Sequence, residues 1–169
     1  MNSVEYVRSQ FASMRRLSDA VLRDTTDEQL NWTPPGEANP IRAALVHVMV
    51  AEDRYIQGIV QGRPMIWQAG GWAERVGLPV PPGYGKGWDE VKATTLALGP
   101  LLEYGSAVRT ATEEYLTALT PEDLDRTVAF IGGERPVADV LAQLVVHTSG
   151  HVGEIAALKG LQGVKGLPM

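Results

Sequence analysis

Residues 136–159 read PVADVLAQLVVHTSGHVGEIAALK, and this stretch decides the fold. Its apolar residues recur at gaps of three and four, which is the period of one face of an α-helix. Residues four apart stand one above the other on that face, so His147 and His151 occupy positions where a leucine would ordinarily meet the core. The presence of two neighbouring imidazoles in a core requires an explanation, and we favour a bound metal ion. The predicted face is Val137, Val140, Leu144, His147, His151, Ile155 and Leu158.

Three further stretches have the helical period: residues 3–24, 41–61 and 100–119. The centre of the second is apolar on every side except at His47, and by itself this centre also fits a buried strand. We favour a helix because Asn39 predicts an N-cap and the apolar pattern continues to the end of the stretch. The chain is therefore predicted to be all-α, a four-helix bundle formed by a single domain over residues 1–169.

A long crossover, residues 62–88, joins the second and third helices of the predicted bundle. It contains Trp67, Trp72 and Trp88 among many glycines and prolines, and it is too apolar to remain in water. We therefore expect it to pack on the bundle, with Trp72 or Trp88 near the metal cavity and excluding water from it. The alternative is that these rings cover the outer surface or form the contact of a homodimer.

Short signals mark the remaining connections. Thr26 and Thr120 each begin a capping-box pattern that predicts a short helical turn. Residues 126–131 form a predicted extended segment before a pair of glycines. Gly99-Pro100 marks either the start of the third helix or a kink in it.

Composition excludes several functional classes. The net charge of −5 argues against a nucleic-acid partner, since phosphate binding needs a basic surface. The absence of cysteine removes disulfides, thiolate ligands and a cysteine nucleophile. No uncharged apolar run approaches the length of a membrane span and the N-terminus lacks a signal-peptide core, so a cytoplasmic location without a membrane partner is expected.

The histidines are the candidate metal ligands. The chain has only three, His47, His147 and His151, and each falls within a strongly apolar helix. The ordinary interpretation of a single buried histidine is a hydrogen-bonded core residue, but three in one core are harder to explain without an ion. Three imidazoles with a further position open are typical of catalytic zinc, and nickel, iron and cobalt accept the same ligands.

The same residues resemble the DinB-like superfamily of four-helix metal-binding proteins. Its pattern of one histidine in the second helix and His-x-x-x-His in the last falls on His47, His147 and His151. The segments around residues 41–48, 120–126 and 151–163 are similar as well. The resemblance implies a divalent metal, zinc or nickel above all, bound by these three residues. Relatives include thiol-dependent S-transferases and a mycothiol-dependent maleylpyruvate isomerase, in which the metal activates a thiolate.

Two further residues are candidates near the site. Glu154 follows His151 by three residues and could be a fourth ligand, an acceptor for an imidazole N–H or a general base, whereas its alternative is an ion pair with Lys159 or an arginine. Arg54, seven residues after His47, could hold an anionic group of a substrate, although a surface arginine is the simpler interpretation.

The predicted function is that of a metal-dependent enzyme acting on a small molecule. Its metal would activate a low-molecular-weight thiol or water, giving an S-transferase or a hydrolase. The alternative is a non-enzymatic metal-binding or stress-response module. An open coordination position favours the enzyme, and a closed four-ligand site favours the module.

Overall fold

Helices make up most of the structure. The computed structural model describes residues 1–83 and 85–167. In chain order the elements are α1 (Ser3–Leu22), α2 (Asp27–Asn31), α3 (Ile41–Asp53), a π-helical continuation (Arg54–Val60), α4 (Ile66–Ala69), α5 (Trp72–Val76), α6 (Trp88–Ala93), α7 (Leu98–Ala118), α8 (Pro121–Asp125), β1 (Thr127–Phe130), β2 (Gly133–Pro136) and α9 (Val137–Leu161).

The four long helices α1, α3, α7 and α9 form the predicted bundle. Their apolar stripes meet in its interior, where Phe11, Tyr104 and Leu144 are almost completely buried. When α3 is taken together with its π-helical continuation, the helix bounds differ from the predicted ones by two residues at most. Pro100 lies in the first turn of α7, where backbone N–H groups have no acceptor within the helix, so the missing N–H of proline breaks no hydrogen bond. Gly99-Pro100 therefore marks a helix start.

The beginning of α3 differs from the prediction. Pro40, not Asn39, holds the N-cap position, and no side chain caps the helix. The Asn39 side chain instead extends to Glu154 on α9. At its other end α3 continues as the π-helical turn Arg54–Val60, a form that is rare and frequently found at functional sites.

The crossover packs on the bundle, as predicted. Trp67 and Trp72 are 4% and 5% exposed, and both rings contact the ring of Tyr104. The completely buried Asp53 fixes this arrangement by accepting hydrogen bonds from the backbone N–H groups of Ile66 and Trp67 at 2.9 Å and from the Tyr104 hydroxyl at 2.8 Å. Burial raises the pKa of the Asp53 carboxyl, and the three donors oppose that shift.

The short signals correspond to real elements. Thr26 and Thr120 are N-caps with complete capping boxes, opening α2 and α8. The predicted extended segment is β1, which pairs with β2 in an antiparallel hairpin. The sequence pattern did not predict this pairing. Gly132 has a positive φ of 83°, which suits a tight hairpin turn. Within residues 1–83 and 85–167, no helix combines the length and the apolarity needed to cross a bilayer.

Candidate metal centre

The three histidines come together although α3 and α9 are far apart in sequence. His47 projects from α3, and His147 and His151 project from successive turns of α9. One candidate ligand atom from each residue lies within 4.8 Å of the others. The Nε2 atoms of His47 and His147, one hundred residues apart, are separated by 2.9 Å. The rings meet edge to face, with centroids 4.7 to 4.9 Å apart.

The cluster lies at the edge of the core and not inside it. Each of the three histidines is half-buried, and the side chain of His151 is 24% exposed. This corrects the expectation of three imidazoles enclosed by the core. The residues next to them in the predicted stripe, Leu144 and Ile155, are fully buried, so the stripe leaves the core for the two turns that carry the histidines.

The surroundings keep at least two of the rings uncharged. Burial lowers the pKa of His47, and the His151 ring lowers it further. The nearby Pro82 carbonyl raises this pKa in part, although it forms no hydrogen bond of ordinary geometry with the ring. Burial, together with the other two rings, lowers the pKa of His147 to about 4. A neutral imidazole presents a lone pair, which is the form that binds a metal ion.

Glu154 is the acceptor for one of the imidazoles. Its Oε2 lies 2.6 Å from Nδ1 of His151, and its Oε1 accepts a hydrogen bond of 3.4 Å from the Asn39 amide. A carboxylate at Nδ1 favours the tautomer with its proton there, which leaves the Nε2 lone pair of His151 toward the cluster. Lys159 is not its partner, because that ammonium is buried and donates to the Val21 and Arg23 carbonyls.

Trp88 is the tryptophan that reaches the site. Its ring lies against His47 with a centroid separation of 4.7 Å. Trp72 belongs to the other side of the crossover, where it contacts Tyr104 and lies under the guanidinium of Arg75 at 3.5 Å. The sequence named both rings as candidates, and only the packing of the crossover distinguishes them.

Arg54 also faces this region. A Cβ added to Gly83 would lie 2.5 Å from its Nη1 atom, so the guanidinium lies directly against the crossover backbone. Its charge is close enough to lower the pKa of His47. A side chain at position 83 would therefore displace the flexible end of the arginine from this place.

The donor set suits a divalent metal ion. In a tetrahedral zinc site with Zn–N bonds of about 2.0 to 2.1 Å, ligand nitrogens are roughly 3.3 Å apart. The nitrogen separations of the cluster, from 2.9 Å for the closest pair to at most 4.8 Å, bracket that value. Among the described residues, the buried Nδ1 atoms of His47 and His147 have no hydrogen-bond partner. With protons on those atoms, both Nε2 lone pairs face each other, an arrangement that a cation stabilises.

Two contributions to this site carried no signal in the sequence. Asn39 was interpreted as a helix cap, and Pro82 lies in a proline-rich run without recognisable chemistry. Both reach the cluster from other elements, so only the packing of the chain identifies them.

Comparison with known proteins agrees with the helical fold. The sequence model of the DinB superfamily matches residues 10–155. A conserved protein from Enterococcus faecalis superposes with a TM-score of 0.78 at 17% identity, covering 95% of this chain and 97% of that one. A DinB-like protein from Bacillus cereus superposes with a TM-score of 0.66 at 20% identity, covering 98% of this chain and 96% of that one. At such identities the likeness concerns the fold alone. No curated protein matches the chain.

Proposed function

The chain belongs to the DinB superfamily, and on that premise we propose that it is a metal-dependent enzyme acting on a small-molecule thiol or on water. One observation carries the proposal: nitrogens of His47, His147 and His151 lie within 4.8 Å of one another at a partly open surface. These residues would hold a divalent ion, with zinc and nickel as the first candidates. The set has three protein ligands, which is the number found in catalytic zinc sites.

When bound, such an ion supplies Lewis acidity and lowers the pKa of a thiol or water, so that a nucleophile exists at neutral pH. The protein's own contribution is to prepare the ligands. Burial keeps His47 and His147 neutral. The Glu154 carboxylate fixes the tautomer of His151, and the Trp88 ring covers one side of His47. Transfer of a low-molecular-weight thiol is the first reaction to test, and hydrolysis is the second.

The metal is tested first. Protein purified without an affinity tag should contain close to one equivalent of zinc, nickel or another divalent ion, measured by mass spectrometry. His147→Ala and His151→Ala should each lose most of it. Ser149→Ala, on the same helix between them, should keep it. Stoichiometric metal in a variant lacking both α9 histidines would refute the site.

The reaction is tested next on the metal-loaded protein. Small thiols are offered with electrophiles, and esters and amides are offered without thiol. Turnover that needs a thiol and disappears in His47→Ala supports the transferase. Turnover without thiol supports the hydrolase. Retained metal with neither reaction indicates the non-enzymatic module.

A further inference from the structure

A cavity separate from the candidate metal centre lies between the four long helices. It has a volume of about 320 Å³, and each of the four helices contributes to its lining. Val48 and Thr148 line it, whereas the residues that precede them in the sequence, His47 and His147, do not. Consecutive residues point about 100° apart around a helix, because one turn takes about 3.6 residues. The helices α3 and α9 therefore present one face to the histidine cluster and a different face to this cavity.

The cavity opens to solvent between α1 and α7. The exposed residues of its lining all belong to α1, to its C-cap or to α7: they are Asp19, Arg23, Leu102 and Ser106. Small residues on the two helices, Ser18 and Gly105, leave the space between them unfilled. Arg109 of α7 donates hydrogen bonds of 2.6 and 3.2 Å to Asp19 of α1, so side chains join the helices across the opening. The exposed Ser106 lies at its mouth.

The interior of the cavity is aliphatic and elongated. On α1 and its C-cap the lining extends from Met14 to Arg23, which is about 14 Å at a rise of 1.5 Å per residue. Among the described residues, no aromatic side chain belongs to this lining. The volume is near the lower end of the range for small-molecule sites, and with this length it suits a slender aliphatic chain. The buried apolar residues of the lining are Met14, Leu45, Val48, Val108, Val152 and Ile155.

The charged groups in the buried part of the cavity are already paired. The buried Glu52 carboxylate accepts hydrogen bonds of 2.6 and 2.9 Å from Arg15 and one of 2.7 Å from the Thr112 hydroxyl. Within residues 1–83 and 85–167, Arg23 is the arginine of the lining without a side-chain partner, and it lies at the exposed rim. Burial of an unpaired charge costs free energy, so the enclosed part of a ligand must be neutral.

One polar group of the interior lacks a partner. The Thr148 side chain is 3% exposed, and its Oγ1 atom forms no hydrogen bond in the described part of the chain, not even to the carbonyl four residues earlier. Thr148 is the first residue of α9 in the lining, as Met14 is the first of α1. These helices run parallel, because Lys159 near the end of α9 donates to the Val21 carbonyl near the end of α1. The free hydroxyl therefore lies toward one end of the cavity.

We infer that this cavity binds a neutral, unbranched aliphatic alcohol of about eight to ten carbon atoms, whose hydroxyl is recognised by Thr148. Carbon–carbon bonds of about 1.5 Å give an extended chain about 1.3 Å per carbon, so ten carbons span about 12 Å of the cavity. Two hydroxyl groups match each other, since each can donate and accept a hydrogen bond. The chain lies against the aliphatic lining toward Arg23. The site is distinct from the histidine cluster, so this inference goes beyond the proposed function.

The test is a titration of the full chain with alcohols, followed by NMR of the methyl groups. Saturable shifts should appear at Leu45, Val48 and Val152, which line the cavity, and not at Val137 at the beginning of α9. Octanol should bind about tenfold more tightly than hexanol, because each buried methylene group contributes roughly three- to fourfold. Dodecanol should bind no more tightly than decanol, since its chain exceeds the length of the cavity.

Variants test the hydroxyl and the mouth separately. Thr148→Val removes the hydroxyl and keeps the branched shape, so octanol should bind about three- to tenfold more weakly. Chlorooctane, which has no hydroxyl, should bind to this variant as before. Ser106→Trp places a large ring at the mouth and should weaken both probes at least tenfold. Thr117→Trp, at an exposed position about three turns further along α7, is the matched control and should leave both constants unchanged.

Three results would overturn the inference. If no alcohol produces saturable shifts at the lining methyl groups, water alone occupies the cavity. If octanoate binds more tightly than octanol, Arg23 selects a carboxylate and the neutral ligand is wrong. If Thr148→Val weakens octanol and chlorooctane equally, the hydroxyl has no part in recognition. None of these results bears on the metal content, so the proposed function stands or fails separately.

Discussion

Glu154 provides the sharpest test of how the candidate metal centre is prepared. The perturbation is Glu154→Ala, which removes the carboxylate that lies 2.6 Å from Nδ1 of His151. Without this acceptor the imidazole can rotate, and either nitrogen can carry the proton. Only the tautomer with its proton on Nδ1 presents the Nε2 lone pair to an ion. In the variant, metal binding must therefore also select this tautomer of His151, which costs free energy. Metal affinity should therefore fall while the three ligands remain.

The size of the expected loss in metal affinity follows from the hydrogen bond between His151 and Glu154. A hydrogen bond to a charged group contributes about 1.5 to 3 kcal/mol when buried. The side chains of His151 and Glu154 are 24% and 31% exposed, which places this bond at the lower end of that range. A loss of about 1.5 to 2 kcal/mol is a roughly 10- to 30-fold weaker dissociation constant for the metal. Glu154→Gln keeps a neutral acceptor oxygen and should weaken the affinity for the metal by only about threefold.

The assay is a competition titration of metal-free protein against a chelator of known affinity. Glu114→Ala, which removes an exposed carboxylate from α7, is the control for the change in net charge and should leave the constant unchanged. An affinity of Glu154→Ala within twofold of the unaltered protein would refute the orienting role. A loss of more than a thousandfold, together with an altered cobalt spectrum, would instead make Glu154 a fourth ligand.

Three further predictions concern the bundle and the crossover. Asp53→Asn replaces a buried carboxylate that accepts three hydrogen bonds by an amide that can accept only part of them. The free energy of unfolding measured in urea should therefore fall by about 3 kcal/mol, and a fall below about 1 kcal/mol would contradict the anchoring role. Because the pKa of His147 is lowered to about 4 from an unfolded value near 6.5, the unfolded state binds more protons between these values. Metal-free protein should therefore lose stability as the pH falls from 6.5 to 4, and His147→Gln should lose less; equal losses would contradict the lowered pKa. Adding nickel or copper to metal-free protein should quench tryptophan emission, and Trp88→Phe should remove much more of this quenching than Trp72→Phe, because Trp88 lies against His47. Equal effects of the two substitutions would contradict the assignment of Trp88 as the tryptophan of the site.

The long helices were predictable because their signals are local. A spacing of three and four between apolar residues fixes a helix face whatever the rest of the chain does, and α9 was predicted to within two residues at its end. The capping boxes at Thr26 and Thr120 are likewise complete within four residues. The interval between His147 and His151 places both on one face of α9, so the sequence predicted that the two rings lie side by side.

Other features depend on partners far along the chain. Asp53 is buried because Ile66, Trp67 and Tyr104 supply its donors, and its own neighbours in the sequence give no sign of them. Glu52 is likewise buried, in an ion pair with Arg15 at 2.6 Å. The carboxylate of each residue is stable in the interior only because these groups converge on it.

By itself, the sequence determined the helices, the bundle and the identity of the candidate ligands, because periodicity, caps and the positions of three histidines are properties of short segments. Only the tertiary structure decided which groups surround those histidines. It placed the Trp88 ring and the Pro82 carbonyl beside His47, turned Asn39 toward Glu154, and left the three histidines half-buried at the edge of the core. Such contacts join segments many residues apart, and their existence depends on how whole elements pack.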